Sequence, residues 1–185
     1  MRQIATALVF LLSLFWSGAP AGADQNDTRL DDLFVKLQDS NNFDQSRRLE
    51  ISIWQIWTAS SDDAVSTLMY EGTAAMTRRD LTRSLRYFDQ VVAIAPEFAE
   101  GWNKRATVNY LLDRYDASLE DIAKTLELEP RHFGALAGRG LVMMQLDRQE
   151  EALQSFEEAL KIHPRLIGAH QNAEALRKFL KKQQI

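Results

Sequence analysis

The sequence predicts an all-α, helical-repeat solenoid, and three observations predict it. Prolines recur 34 residues apart, at Pro96, Pro130 and Pro164. Eight positions before each stands a bulky apolar residue, Phe88, Ile122 or Phe156. Four positions before that stands a small residue, Ser84, Ser118 or Ala152. A period of this length with this internal pattern describes a helix–turn–helix unit that cannot bury its own apolar face. Such a unit must stack on its copies. Function is then expected from the surface that the stack presents.

The elements follow in chain order. Residues 1–23 combine Arg2, an apolar run from Ile4 to Trp16 and the small-residue site Ala21-Gly22-Ala23. They are expected to be a signal peptide cleaved before Asp24, because the run is short for a membrane span. Residues 24–64 are expected to hold a polar linker and a degenerate helical pair. Leu30, Leu33, Phe34 and Leu37 recur at helical spacing until Ser40-Asn41-Asn42 breaks the pattern. A second helix over about 44–59 carries Leu49, Ile53, Ile56 and Trp57 on one face. In the 34-residue frame Trp54 falls where Phe88 does, so this pair reads as a capping repeat stacked before the first clear one.

Three clear repeats follow, at 65–98, 99–132 and 133–166. Their helix pairs are expected near 64–77 and 81–94, 98–111 and 115–128, and 132–145 and 149–162. The turns fall at Arg78-Arg79-Asp80, Asp113-Arg114 and Asp147-Arg148. Proline closes each repeat because it lacks an amide donor and disfavours helical geometry in its predecessor. Residues 167–185 read as a single cap helix with an apolar stripe of Ala169, Ala173, Leu176 and Leu180. Lys178, Lys181 and Lys182 complement its dipole. Gly72, Ala106 and Gly140 recur midway along the first helices, where a second helix must cross closely.

Composition narrows the function classes. The chain has no cysteine, which removes disulfides, thiol nucleophiles and zinc–thiolate sites. Its formal charge of −4 becomes −5 once Arg2 leaves with the signal, and that acidity argues against nucleic acid and anionic lipid. A signal with a cysteine-free mature chain leans toward a bacterial periplasm, with no stable membrane insertion after cleavage. His132, His163 and His170 include no pair one helical turn apart, so no metal or other cofactor is expected. Glu120-Asp121 and Glu157-Glu158 read as solvated helix faces. No catalytic motif emerges, and the chain is expected not to be an enzyme.

The repeat pattern resembles the tetratricopeptide repeat, whose signature is Trp-x2-Leu-Gly-x2-Tyr, then Ala-x3-Phe, then Pro. Residues 133–166 carry Leu136, Gly140, Ala152, Phe156, Ala159 and Pro164 in register. Residues 99–132 carry Trp102, Ala106, Ser118, Ile122 and Pro130, and residues 65–98 carry Leu68, Gly72, Ser84, Phe88 and Pro96. Arg105 and Arg139 depart from the pattern by standing where the family has leucine, and Tyr110 falls one place late.

The resemblance implies a right-handed solenoid whose first helices line a concave groove for an extended peptide or a partner helix. The groove positions become Met69, Thr73 and Met76, then Asn103, Thr107 and Tyr110, then Leu141, Met144 and Gln145, with Ala137 beside them. Met76 and Met144 read equally as interhelix core. A family variant grips chaperone tails with a lysine and asparagine clamp. Here those places hold Met69, Thr73, Lys104, Gly134 and Gly138, so no such clamp is expected. Gly134, Gly138 and Gly140 read either as close packing at 138 and 140 or as a shallow groove floor, with packing preferred. The implied function is a protein- or peptide-binding adaptor or scaffold. The alternative is a structural subunit that self-associates through the aromatic face of Phe43, Trp54 and Trp57.

Overall fold

The computed structural model describes residues 24–183, and the expected signal segment lies outside the described residues. Two helices come first, α1 (Arg29–Asp39) and α2 (Phe43–Thr58). Three pairs follow: α3 (Asp63–Thr77) with α4 (Leu81–Ile94), α5 (Ala99–Leu111) with α6 (Tyr115–Leu128), and α7 (Phe133–Gln145) with α8 (Gln149–Ile162). Helix α9 (Ile167–Gln183) closes the order, and no strand occurs among the described residues. From α3 to α9 each helix packs on the next, and first helices also touch across repeats, α3 on α5 and α5 on α7.

The repeated small residues act sterically. A Cβ added to Gly72 would lie 2.7 Å from the Phe88 ring, and one added to Gly140 would lie 2.8 Å from the Phe156 ring. Both rings are fully buried, so the glycines let the two helices of a pair close on an aromatic plug. The serines of the pattern have a polar task as well. Ser84 Oγ donates to the Gly72 carbonyl at 2.8 Å, and Ser118 Oγ donates to the Ala106 carbonyl at 2.9 Å.

Each first helix ends the same way. Arg79, Asp113 and Asp147, again 34 residues apart, take left-handed backbone with φ of 63°, 57° and 58°. The amide one residue later returns to the helix in every copy, for example Arg114 N–H to the Asn109 carbonyl at 2.9 Å. That double-bonded ending satisfies carbonyls the helix leaves open and reverses the chain. Aspartate tolerates this conformation better than arginine does.

The N-terminal pair departs from expectation. Instead of stacking ahead of α3 as a capping repeat, it lies along the edge where second helices hand over to first helices. There α1 packs on α8 and α2 on α5. Leu30, Phe34, Leu37, Ile53, Ile56 and Trp57 form one core with Phe133, and Ile162 and Leu166 pack against it. Polar ties follow the same edge. The Gln25 side chain donates to the Glu97 carbonyl at 2.5 Å and accepts from Ala99 N–H at 3.2 Å. Arg131 reaches Asp31 at 2.6 Å, and its guanidinium lies over the Phe34 ring at 4.4 Å. Arg165 donates to the Ser40 carbonyl at 2.8 Å. The physical reason lies in Phe133, Ile162 and Leu166, which give the apolar faces of α1 and α2 a common core along that edge.

Candidate functional site

The first helices place the expected groove residues unevenly. Met69 is only 6% exposed and belongs to the core with Val65, Phe88 and Val108, so it is not a groove contact. Met76 and Met144 are half-buried and pack on core clusters. Thr73 is half-buried on α3. Thr107 and Gln145 are exposed, while Tyr110 and Leu141 are half-buried.

Four of these residues, Asn103, Thr107, Tyr110 and Leu141, meet in one place. With Gly134, Gly138, Ala106, Ser118 and Ile122 they line a cavity of about 70 Å³ between α5, α6 and α7. The three glycines of α7 now separate by role. Gly140 seats Phe156, as expected. Gly138 does not mark close packing: a Cβ there would meet only Ile122 Cδ1, at 3.8 Å. Gly134 faces the N-terminal pair, since its Cβ would fall 2.8 Å from the Trp54 ring. The groove floor is therefore open at Gly138 and closed at Gly134 by a side chain from α2.

The rim is polar and uncharged. Thr107 Oγ1 donates to the Asn103 carbonyl at 2.9 Å, and Gln145 Nε2 approaches the Tyr110 hydroxyl at 3.4 Å. Lys104, the one cation at the clamp positions, is already engaged. Its ammonium lies 3.2 Å from Glu100 Oε1 and 5.7 Å from the centre of the Trp54 ring.

Beneath this end of the groove lies a buried polar cluster that the sequence did not reveal. Glu100 and His132 are fully buried. His132 Nδ1 caps α7 by accepting from Ala135 N–H at 3.0 Å. The ring proton therefore sits on Nε2, which donates to Glu100 Oε2 at 3.0 Å. Asn103 Nδ2 donates to the same oxygen at 2.8 Å. Burial pushes the Glu100 carboxyl up, but the His132 hydrogen bond and the Lys104 charge outweigh it and hold it below the ordinary carboxylate range. The His132 ring stacks on Trp57 at 4.1 Å between centroids, and Trp54 meets it edge-on at 5.4 Å.

Asn103 is thus 8% exposed and committed to Glu100 through its amide nitrogen, a structural role as much as a groove role. Asp121 also corrects the sequence reading. It is buried rather than solvated, and both its oxygens bond Arg105, at 2.6 and 3.0 Å. Arg105 bonds Asp89 on α4 as well, so the arginine in a leucine position links three helices. Arg139, its counterpart one repeat on, bonds Ser155 and Glu158.

The aromatic face expected to serve self-association is largely internal. Trp57 is buried, Trp54 half-buried, and only Phe43 remains exposed. Among the described residues no helix is long and apolar enough to cross a membrane.

Comparison with known proteins accords with this architecture. A model of the tetratricopeptide repeat matches residues 71–124 and 112–167. A TPR repeat-containing protein of Rhizobium etli is 34% identical over 115 residues, which are 62% of this chain and 56% of that protein. The chain thus spans little more than half the length of that relative. Among solved structures, the Arabidopsis OM64 TPR domain superposes with a TM-score of 0.62 at 21% identity, covering 63% of this chain and 97% of that one. The first TPR of Spaghetti (RPAP3), bound to the HSP90 peptide SRMEEVD, gives 0.62 at 17% identity, covering 64% and 94%. MamA gives 0.60 at 18% identity, covering 80% and 84%. These structural likenesses show the fold. With over half its length matched by the family model, the chain belongs to the tetratricopeptide repeat family.

Proposed function

We propose that this chain is a non-catalytic adaptor or scaffold that binds a protein or peptide segment in the concave groove between α5 and α7. We assign it to the periplasm on the strength of its N-terminal sequence. The observation that carries the binding reading is the open, uncharged floor at Gly138, flanked by Thr107, Tyr110 and Leu141. A packed core would fill that space, whereas a recognition surface keeps it for a partner. The peptide named in the RPAP3 structure supports peptide capture as a use of this fold. An acidic tail of that kind suits this groove poorly, because Lys104 is already paired with Glu100. Self-association through the N-terminal aromatics is disfavoured, since Trp57 and Phe34 are spent on the chain's own core.

The test is selection of a displayed random peptide library on the purified protein, followed by affinity measurement. Tyr110→Ala and Thr107→Arg should weaken the selected peptides at least tenfold with little change in melting temperature. The convex substitutions Glu120→Ala and Glu157→Ala should leave affinity unchanged. A central aromatic contact in an interface is worth about 2 kcal/mol or more. Peptides indifferent to the groove substitutions would refute the groove as the binding surface.

A further inference from the structure

We propose that the cavity at Gly138 is a socket for one aliphatic side chain, of leucine or valine type, presented by an uncharged segment of the partner. The proposal rests on the groove reading above and sharpens it by naming the chemistry the groove takes. At about 70 Å³ the cavity is far below the roughly 300 Å³ at which small-molecule sites begin, so a cofactor-sized ligand does not fit. Its size suits a single side chain entering from the open face of α7. The walls are apolar where a side chain would sit, at Ala106, Ile122 and Leu141. None of the nine lining residues carries a charge, so an acidic or basic side chain would be desolvated without a partner.

Asn103 supplies an independent observation. Its side chain is more than nine-tenths buried, and its Nδ2 is fixed toward the Glu100 carboxylate, which can only accept. The carboxamide oxygen has no protein donor among the described residues and is not sealed from solvent, so it remains an acceptor that a ligand can reach beside the cavity. A backbone N–H beside the inserted side chain satisfies that oxygen. Recognition is then one apolar anchor with one main-chain hydrogen bond, the division of labour usual for extended peptides.

The experiment uses the whole mature protein with labelled methyl groups and three probes: capped leucine, capped aspartate and capped lysine (N-acetyl, N-methylamide). The capped leucine should shift the Ile122, Leu141 and Thr107 methyl signals saturably, with an apparent affinity at least tenfold above the other two. Gly138→Leu should abolish the shifts, and Gly138→Ala should reduce them while folding normally, because its Cβ meets nothing closer than 3.8 Å. Equal shifts from all three probes, silence of all three, or shifts that survive in both variants would overturn the socket. Should the socket fail while displayed peptides still depend on Tyr110 and Thr107, the groove reading stands. Should those peptides also ignore the groove, both fall.

Discussion

Two alanine substitutions on one face of α7, four residues apart, separate the groove floor from the docking of the N-terminal pair. Gly134→Ala and Gly138→Ala each replace a helical glycine; Gly138, inside α7, should gain about 1 kcal/mol of helix propensity, and Gly134, in its first turn, less. At Gly138 nothing opposes the gain, since Ile122 Cδ1 lies 3.8 Å from the new Cβ. A rise of about 1 kcal/mol, or about 2–4 °C in melting temperature for a chain of this size, is expected. At Gly134 the new Cβ falls 2.8 and 2.9 Å from two atoms of the Trp54 ring and 3.3 Å from His132. Overpacking of that kind costs about 1–3 kcal/mol, which cancels or exceeds the gain. The two variants should therefore differ by about 1–3 kcal/mol in urea unfolding followed by circular dichroism. Removing the obstacle completes the cycle: in a Trp54→Ala background, Gly134→Ala should become stabilising, as Gly138→Ala is. Equal stabilisation by both substitutions in the native background would refute the contact between α2 and α7.

Two further outcomes are expected. The Glu100 carboxyl is held below the ordinary range in the folded chain, so the unfolded chain binds its proton first as pH falls. Its stabilisation is complete above the unfolded value of about 4.3 and is lost as pH drops through the folded value. Unfolding free energy measured from pH 6 to 3 should thus fall less steeply for Glu100→Gln than for the native chain, and identical slopes would count against an ionised Glu100. On export, the protein recovered from cells should begin at Asp24 or within a few residues, by N-terminal sequencing. Recovery with residues 1–23 retained would refute cleavage.

The repeats were legible because their determinants are local. Pro96, Phe88, Gly72 and their copies lie within one helix pair, and the 34-residue spacing repeats each contact. Even the turn residues Arg79, Asp113 and Asp147 fall in the expected turns, although their left-handed backbone does not follow from an arginine. The docking of α1 and α2 was not legible. Periodicity shows that Leu30, Phe34, Ile53 and Trp57 need cover, but not that Phe133 provides it from far along the chain. Two signals were present. Gly134 had no packing duty inside its own repeat, and α2 carries Ile51 and Trp54 beside the face of Leu49, Ile53, Ile56 and Trp57. Asp121 was misread because its neighbour Glu120 is exposed. The better clue was Arg105, since a cation at an interior leucine position requires a buried anion. Within the groove, residue type alone could not separate Met69, which fills the core, from Thr107, which faces solvent.

The N-terminal pair changes what a short solenoid of this kind can do. Each unit of a repeat stack ordinarily contacts its neighbours alone, so curvature is soft and the groove width drifts with it. Here one edge is bridged at every handover between repeats: Gln25 at Glu97 and Ala99, Asp31 at Arg131, and Ser40 at Arg165. Those ties hold the spacing of α5, α7 and α9 at their starts, and Trp54 fixes one end of the groove against Gly134. A partner then meets a surface whose width and end wall are already set, which lowers the ordering cost of association. The same geometry limits what can bind. In the proposed groove the floor is open at Gly138, and toward the start of α7 it is closed by the Trp54 ring against Gly134. The pair expected to cap the stack ahead of the first repeat is, in this arrangement, an end wall of the proposed groove.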